Sequence, residues 1–114
     1  MRLGRILLPA VALLVASVLA GGCGGSESSE PVATTEVTMA KSYRFDPKTI
    51  EIEAGQTVTW RNDDNFTHTV QVEGQGDHEV GPGESVSIEF DTPGTYHYVC
   101  TLHSRDMDGE VIVK

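Results

Sequence analysis

Residues 35–114 predict an all-β sandwich of about seven or eight short strands. Three observations carry this: apolar residues recur with period two, turn residues interrupt them at short intervals, and no segment shows the 3.6-residue periodicity of a helix. Val37 and Met39 open the pattern, with Met39 expected in the core, and Tyr43 to Phe45 add a short extended piece. Ile50-Glu51-Ile52-Glu53 alternates, Ala54-Gly55-Gln56 turns, and Thr57-Val58-Thr59-Trp60-Arg61 alternates again, the mark of two half-buried strands. His68, Val70 and Val72 share a parity and therefore a face, ahead of a Gly-rich stretch from Gly74 to Gly83. Val86, Ile88 and Phe90 mark the next strand and Asp91-Thr92-Pro93-Gly94 a turn. Tyr96-His97-Tyr98-Val99-Cys100 then forms a strand that ends on a thiol, and Glu110 to Lys114 closes the sheet.

The chain has 114 residues, which predicts one small domain, and its first part lies outside that domain. Arg2 and Arg5 precede an apolar stretch from Ile6 to Ala20, followed by Gly21-Gly22-Cys23, the zones of an export signal over residues 1–22. Containing Pro9 and falling short of the roughly 20 residues that cross a bilayer, the stretch does not predict a transmembrane span. Leu19-Ala20-Gly21-Gly22-Cys23 resembles the lipobox of bacterial lipoproteins, with Ala20 where Leu is usual. That resemblance implies lipidation of Cys23, each buried methylene adding about 0.8 kcal/mol of membrane affinity. Residues 23–34, with Gly-Gly-Ser-Glu-Ser-Ser-Glu-Pro at their centre, are too polar to build a core and predict a flexible tether. Its mean reach is roughly 15–20 Å.

Chemistry concentrates near the C-terminus, where Cys100, His103 and Met107 fall within eight residues. A thiolate, an imidazole and a thioether select copper, and two imidazoles with one thiolate and a weak axial Met describe a blue-copper electron-transfer site. The second imidazole must come from elsewhere, and His68, on the inward face of its strand, is the candidate. A Cys23–Cys100 disulfide is the default for two cysteines in an exported chain. It is disfavoured here, because it would leave His103 and Met107 without a purpose.

Tyr43-Arg44-Phe45-Asp46-Pro47, Ile50, Gly55, Thr57-Val58-Thr59-Trp60-Arg61-Asn62-Asp63, His68-Thr69-Val70, Pro93-Gly94-Thr95-Tyr96, and Cys100, His103, Met107 and Gly109 resemble the plastocyanin, amicyanin and halocyanin group of cupredoxins over residues 35–114. The resemblance implies a Greek-key sandwich with one type 1 copper at its end, held by His68, Cys100, His103 and Met107. It also implies that electrons pass through the imidazole of His103, in the exposed loop near Leu102. Two departures stand out. Three residues separate His103 from Met107, between the two of amicyanin-like and the four of plastocyanin-like loops, and Thr69 follows the first His where plastocyanins and azurins carry Asn, so outer support of the site is expected to differ.

Other polar residues have plainer readings. His97 has the parity opposite to Tyr96, Tyr98 and Cys100 and is expected at the surface, facing away from the metal; His78, in the Gly-rich stretch beside Asp77 and Glu79, which favour its cationic form, is not expected to be a ligand. Asp63 and Asp64 suggest a solvated turn, since no Ca²⁺-loop pattern accompanies them. Without residues 1–22 the chain has six Lys and Arg against seventeen Asp and Glu, about −11, which argues against a nucleic-acid partner. Such a field favours redox partners with basic surfaces, such as a cytochrome or oxidase. The expectation is a monomeric one-electron carrier, exported and lipid-anchored at the outer face of the cytoplasmic membrane or in the periplasm. The alternatives are a copper chaperone or scavenger using the same ligands and a metal-free adhesive β domain. Four histidines cannot also supply a separate His-rich catalytic copper centre, so the chain is not expected to be an enzyme.

Overall fold

A computed structural model describes residues 30–103 and 106–114. They form ten strands: β1 (Val32–Ala33), β2 (Glu36–Ala40), β3 (Arg44–Asp46), β4 (Thr49–Ile52), β5 (Gln56–Asn62), β6 (His68–Val72), β7 (Gly76–Val80), β8 (Ser85–Phe90), β9 (Gly94–Val99) and β10 (Asp108–Val113). No helix occurs among the described residues. Six strands make one sheet in the order β1-β4-β10-β9-β6-β7, and four make the other in the order β3-β2-β5-β8. The expected all-β sandwich is present, with more strands than the seven or eight expected.

The two additional strands have a common cause. β1 lies in the segment expected as a tether and is only two residues long, pairing in parallel with β4 through Val32↔Ile50 and Ala33↔Glu51. β7 lies in the Gly-rich stretch and carries one buried residue, Val80. Gly74 (φ 75°) and Gly76 (φ 86°) take the left-handed backbone that turns β6 into β7, so glycines that suggest a loop here build a hairpin. Edge strands with little buried surface leave no alternation to detect.

Period two is obeyed where the sheets face each other. Val37 and Met39 on β2, Val58, Trp60 and Asn62 on β5, Ile88 and Phe90 on β8, and Val111 and Val113 on β10 point inward. Each fully buried aliphatic or aromatic side chain contributes roughly 1.5–3 kcal/mol by leaving water. Met39 is in the core, as expected. Trp60 packs edge-on against Tyr98 at 5.2 Å, and Tyr98 packs edge-on against Phe45 at 4.8 Å, so aromatic rings tie the two sheets together.

Tyr98 also explains Gly109. The two residues are paired across β9 and β10, and the Tyr98 hydroxyl donates to the Lys48 carbonyl at 3.3 Å. A Cβ at position 109 would run into both that hydroxyl and that carbonyl, closer than real Cβ atoms stand. Burial pushes the Tyr98 phenol far above its ordinary pKa, so it remains a donor throughout the physiological range.

Candidate metal centre

The site is assembled from β6 and from the connection between β9 and β10. These strands lie in one sheet: β6 pairs with β9 through Gln71↔Val99 and Val72↔Tyr98, and β9 pairs with β10 along six residues. His68 opens β6 with its ring wholly buried, while Cys100, also wholly buried, stands one residue beyond β9. Backbone hydrogen bonds shape the connection that follows. Cys100 N–H donates to Met107 O at 3.0 Å and closes its base; His103 N–H donates to Cys100 O at 3.1 Å, and Met107 N–H to His103 O at 3.0 Å. Three residues between His103 and Met107 suit this last, one-turn hydrogen bond.

The geometry brings three of the four expected donors together. Cys100 Sγ lies 3.6 Å from His68 Nδ1 and 3.8 Å from His103 Nδ1, and the three ligand atoms all stand within 4.8 Å of one another. A sulfur about 2.3 Å and an imidazole nitrogen about 2.0 Å from a shared ion, at trigonal angles, stand roughly 3.7 Å apart. The cluster therefore fits one ion. Met107, the fourth expected donor, is fully buried directly before β10. Among the described residues no other three His, Cys, Asp or Glu side chains converge in this way.

Surrounding groups fix each donor. His68 Nε2 lies 2.9 Å from Asp64 Oδ2; as the Nε2–H donor to that carboxylate, the ring turns its Nδ1 lone pair toward the sulfur. The bond from His68 chiefly, and that from Asn65 N–H at 2.7 Å, hold the Asp64 carboxyl below the usual carboxylate range. This corrects the expectation of a solvated turn: Asp64 is 7% exposed and orients a donor, whereas Asp63 is exposed and pairs with Arg61 at 2.9 Å. Asn62, fully buried at the end of β5, shapes the loop between them. Its Nδ2 donates to Phe66 O at 2.8 Å and Val80 O at 2.9 Å, and its Oδ1 accepts Asp64 N–H at 2.8 Å. Asn62 and Asp64 are the functional residues that sequence reasoning missed. The available signal was an Asn-Asp-Asp run at a strand end, four residues before a buried His, the spacing of an Asx turn.

Thr69 takes up the outer support in its own way. Its N–H donates to Cys100 Sγ at 3.3 Å, which stabilises negative charge on the sulfur. Its hydroxyl accepts Thr101 N–H at 2.7 Å and lies 2.8 Å from Thr101 Oγ1, joining the start of β6 to the ligand loop. Thr69→Val removes that link, with an expected cost of about 1 kcal/mol. Faster amide exchange at Thr101, beside an unchanged rate in the β5 core, is the measurement that checks it.

The remaining histidines lie elsewhere, as expected. His97 is exposed and paired with Glu110 at 3.2 Å, and His78 Nε2 contacts Gln75 O at 3.1 Å in the β6–β7 hairpin. Cys100 is a free thiol, not part of a disulfide, and Cys23 lies outside the described residues.

A buried thiol flanked by two imidazoles at one end of a two-sheet sandwich defines a metal-binding β-sandwich protein of the copper type. The chain belongs to the cupredoxin family: residues 9–113 match the family model described as a cupredoxin-like domain. It is 36% identical over 105 residues to amicyanin-alpha of Methylorubrum extorquens, covering 86% of this chain and 87% of that one. To plastocyanin of Scenedesmus fuscus it is 36% identical over 84 residues, or 61% of this chain and 86% of that one. Among solved structures, a mutant of amicyanin in its Cu(I) form superposes with a TM-score of 0.62 at 28% identity, over 69% of this chain and 80% of that one. A purple cupredoxin from Nitrosopumilus maritimus shares the fold with a TM-score of 0.64 at 24% identity, over 71% of this chain and all of that one. The cofactor of this family is one copper ion, and His68, Cys100 and His103 form the candidate site for it here.

Proposed function

We propose that His68, Cys100, His103 and Met107 hold a single copper ion and that the protein carries one electron at a time between redox partner proteins. The observation that carries this reading is the pair of short sulfur-to-nitrogen distances, 3.6 and 3.8 Å, around one buried thiol. Bound there, copper supplies a centre that cycles between Cu(II) and Cu(I). The chain's own residues do the rest. Thr69 N–H donates to the Cys100 sulfur, Asp64 fixes the tautomer of His68, and burial of Cys100 and Met107 keeps water from the sulfur side. His103, only partly buried, gives the electron its way in and out, and the exposed Phe66 and Leu102 supply an apolar surface beside it for a partner to dock against.

The division into an export signal over 1–22, a tether over 23–34 and a copper domain over 35–114 accompanies this reading. With Cys23 lipidated, the domain works as a monomer at the extracytoplasmic membrane face, and its acidic charge favours partners with basic surfaces. Carrier and chaperone separate on one experiment. Purified protein loaded with Cu(II) is cycled through reduction and reoxidation in the presence of a competing Cu(I) chelator. A carrier keeps its copper and its type 1 spectrum over repeated cycles; loss of the metal to the chelator at the first reduction refutes the carrier reading and supports the chaperone.

A further inference from the structure

Tyr43 occupies a place that its local sequence does not favour. It lies in the three-residue turn 41–43 that joins β2 to β3, closed by the Ala40↔Arg44 pair. Ser42 (φ 76°) and Tyr43 (φ 57°) both sit in the left-handed region, without a glycine or asparagine between them. A bulky side chain there is an outlier and persists only where its surroundings impose it. The surroundings of the Tyr43 ring are the donors of the candidate site. It stacks on His103 with centroids 4.2 Å apart and planes 31° from parallel, meets His68 edge-on at 6.0 Å, and touches Phe66 at 6.1 Å. At 38% exposure it covers one face of an imidazole that the protein otherwise leaves partly open.

Among the described residues, no hydrogen bond holds the His103 ring from outside as Asp64 holds His68. Apart from the sulfur at 3.8 Å, the described groups against it include the rings of Tyr43 and His68, the latter 5.3 Å away. We infer that Tyr43 is a positioning residue for His103: stacking between the rings fixes the imidazole plane with Nδ1 toward Cys100, the role that a hydrogen-bonded carboxylate plays for His68. The strained turn is the cost of bringing an aromatic face to that spot, and the stack offsets part of it. This inference rests on the reading of His103 as a ligand.

The test compares Tyr43→Phe, Tyr43→Ala and Tyr43→Gly with the parent. In the metal-free protein, side-chain NMR of His103 should show one rotamer in the parent and in Tyr43→Phe, and averaging over several in Tyr43→Ala. Tyr43→Gly removes the ring and the backbone strain at position 43 together. It should restore turn stability but leave His103 averaged, which separates positioning from a merely structural effect. With copper, the alanine and glycine variants should bind about tenfold more weakly and the phenylalanine variant should match the parent. An alanine variant whose His103 is as ordered as the parent's, with equal copper affinity, overturns the inference. Failure of the ligand reading would show differently, as a parent with the stacked, ordered ring but no type 1 copper spectrum.

Discussion

Cys100→Ser is expected to abolish the type 1 copper spectrum while leaving the sandwich folded. The sulfur is the soft donor of the set, and a serine hydroxyl, protonated at neutral pH, offers copper neither the charge nor the polarisability of a thiolate. The fold should tolerate the change. Cys100 contributes little more than a buried thiol to the core, its backbone bond to Met107 O is untouched, and the new hydroxyl can accept the Thr69 N–H that now meets the sulfur at 3.3 Å. Visible and electron paramagnetic resonance spectra at equal copper loading, beside a thermal unfolding curve of the metal-free form, measure the two halves separately. A variant that keeps the intense absorption would place the ion elsewhere and end the proposal for this site.

Asn62→Ala is expected to destabilise the metal-free protein by about 2–4 kcal/mol. The side chain makes three hydrogen bonds at a buried position, to Phe66 O, Val80 O and Asp64 N–H. Alanine leaves all three groups without a partner, and each unsatisfied buried group costs roughly 1–3 kcal/mol, softened where the loop can relax toward water. The damage should also spread. Asp64 loses the bond that sets its backbone, His68 loses its orienting carboxylate, and copper affinity falls with stability. Urea unfolding with and without copper measures both effects. A shift of the metal-free midpoint worth less than 1 kcal/mol would show that the loop is held by something other than Asn62.

Strands that face the partner sheet, such as β5 and β8, announce themselves by alternation because one side of each is buried. Cys100, His103 and Met107 were legible for another reason: close spacing in the chain and an uncommon combination of donors. His68 could be added by parity, since Val70 and Val72 fix which way it points. Asp64 was beyond that reasoning, because two adjacent aspartates at the end of a strand have the composition of a wet turn. Only the buried amide of Asn62 turns one of them inward and leaves the other with Arg61. Tyr43 reads as the start of a short strand and as part of a family motif, whereas its role depends on a left-handed turn that nothing in Lys41-Ser42-Tyr43 prescribes, and β3 begins one residue later, at Arg44. β1 and β7 escaped because edge strands bury too little to leave a pattern.

The position of β10 bears on when the protein can acquire its metal. Asp108–Val113 is translated after the other described strands, yet it lies between β4 and β9 and supplies the bonds that join the two parts of the larger sheet. Until those residues have emerged, β4 and β9 each present a bare edge, and Met107 has no strand to seat it beside Cys100. Docking a late strand between early ones demands long-range closure, a slow kind of step. A growing chain thus holds its thiol unscreened until β10 docks, and the pocket comes into being only with that step.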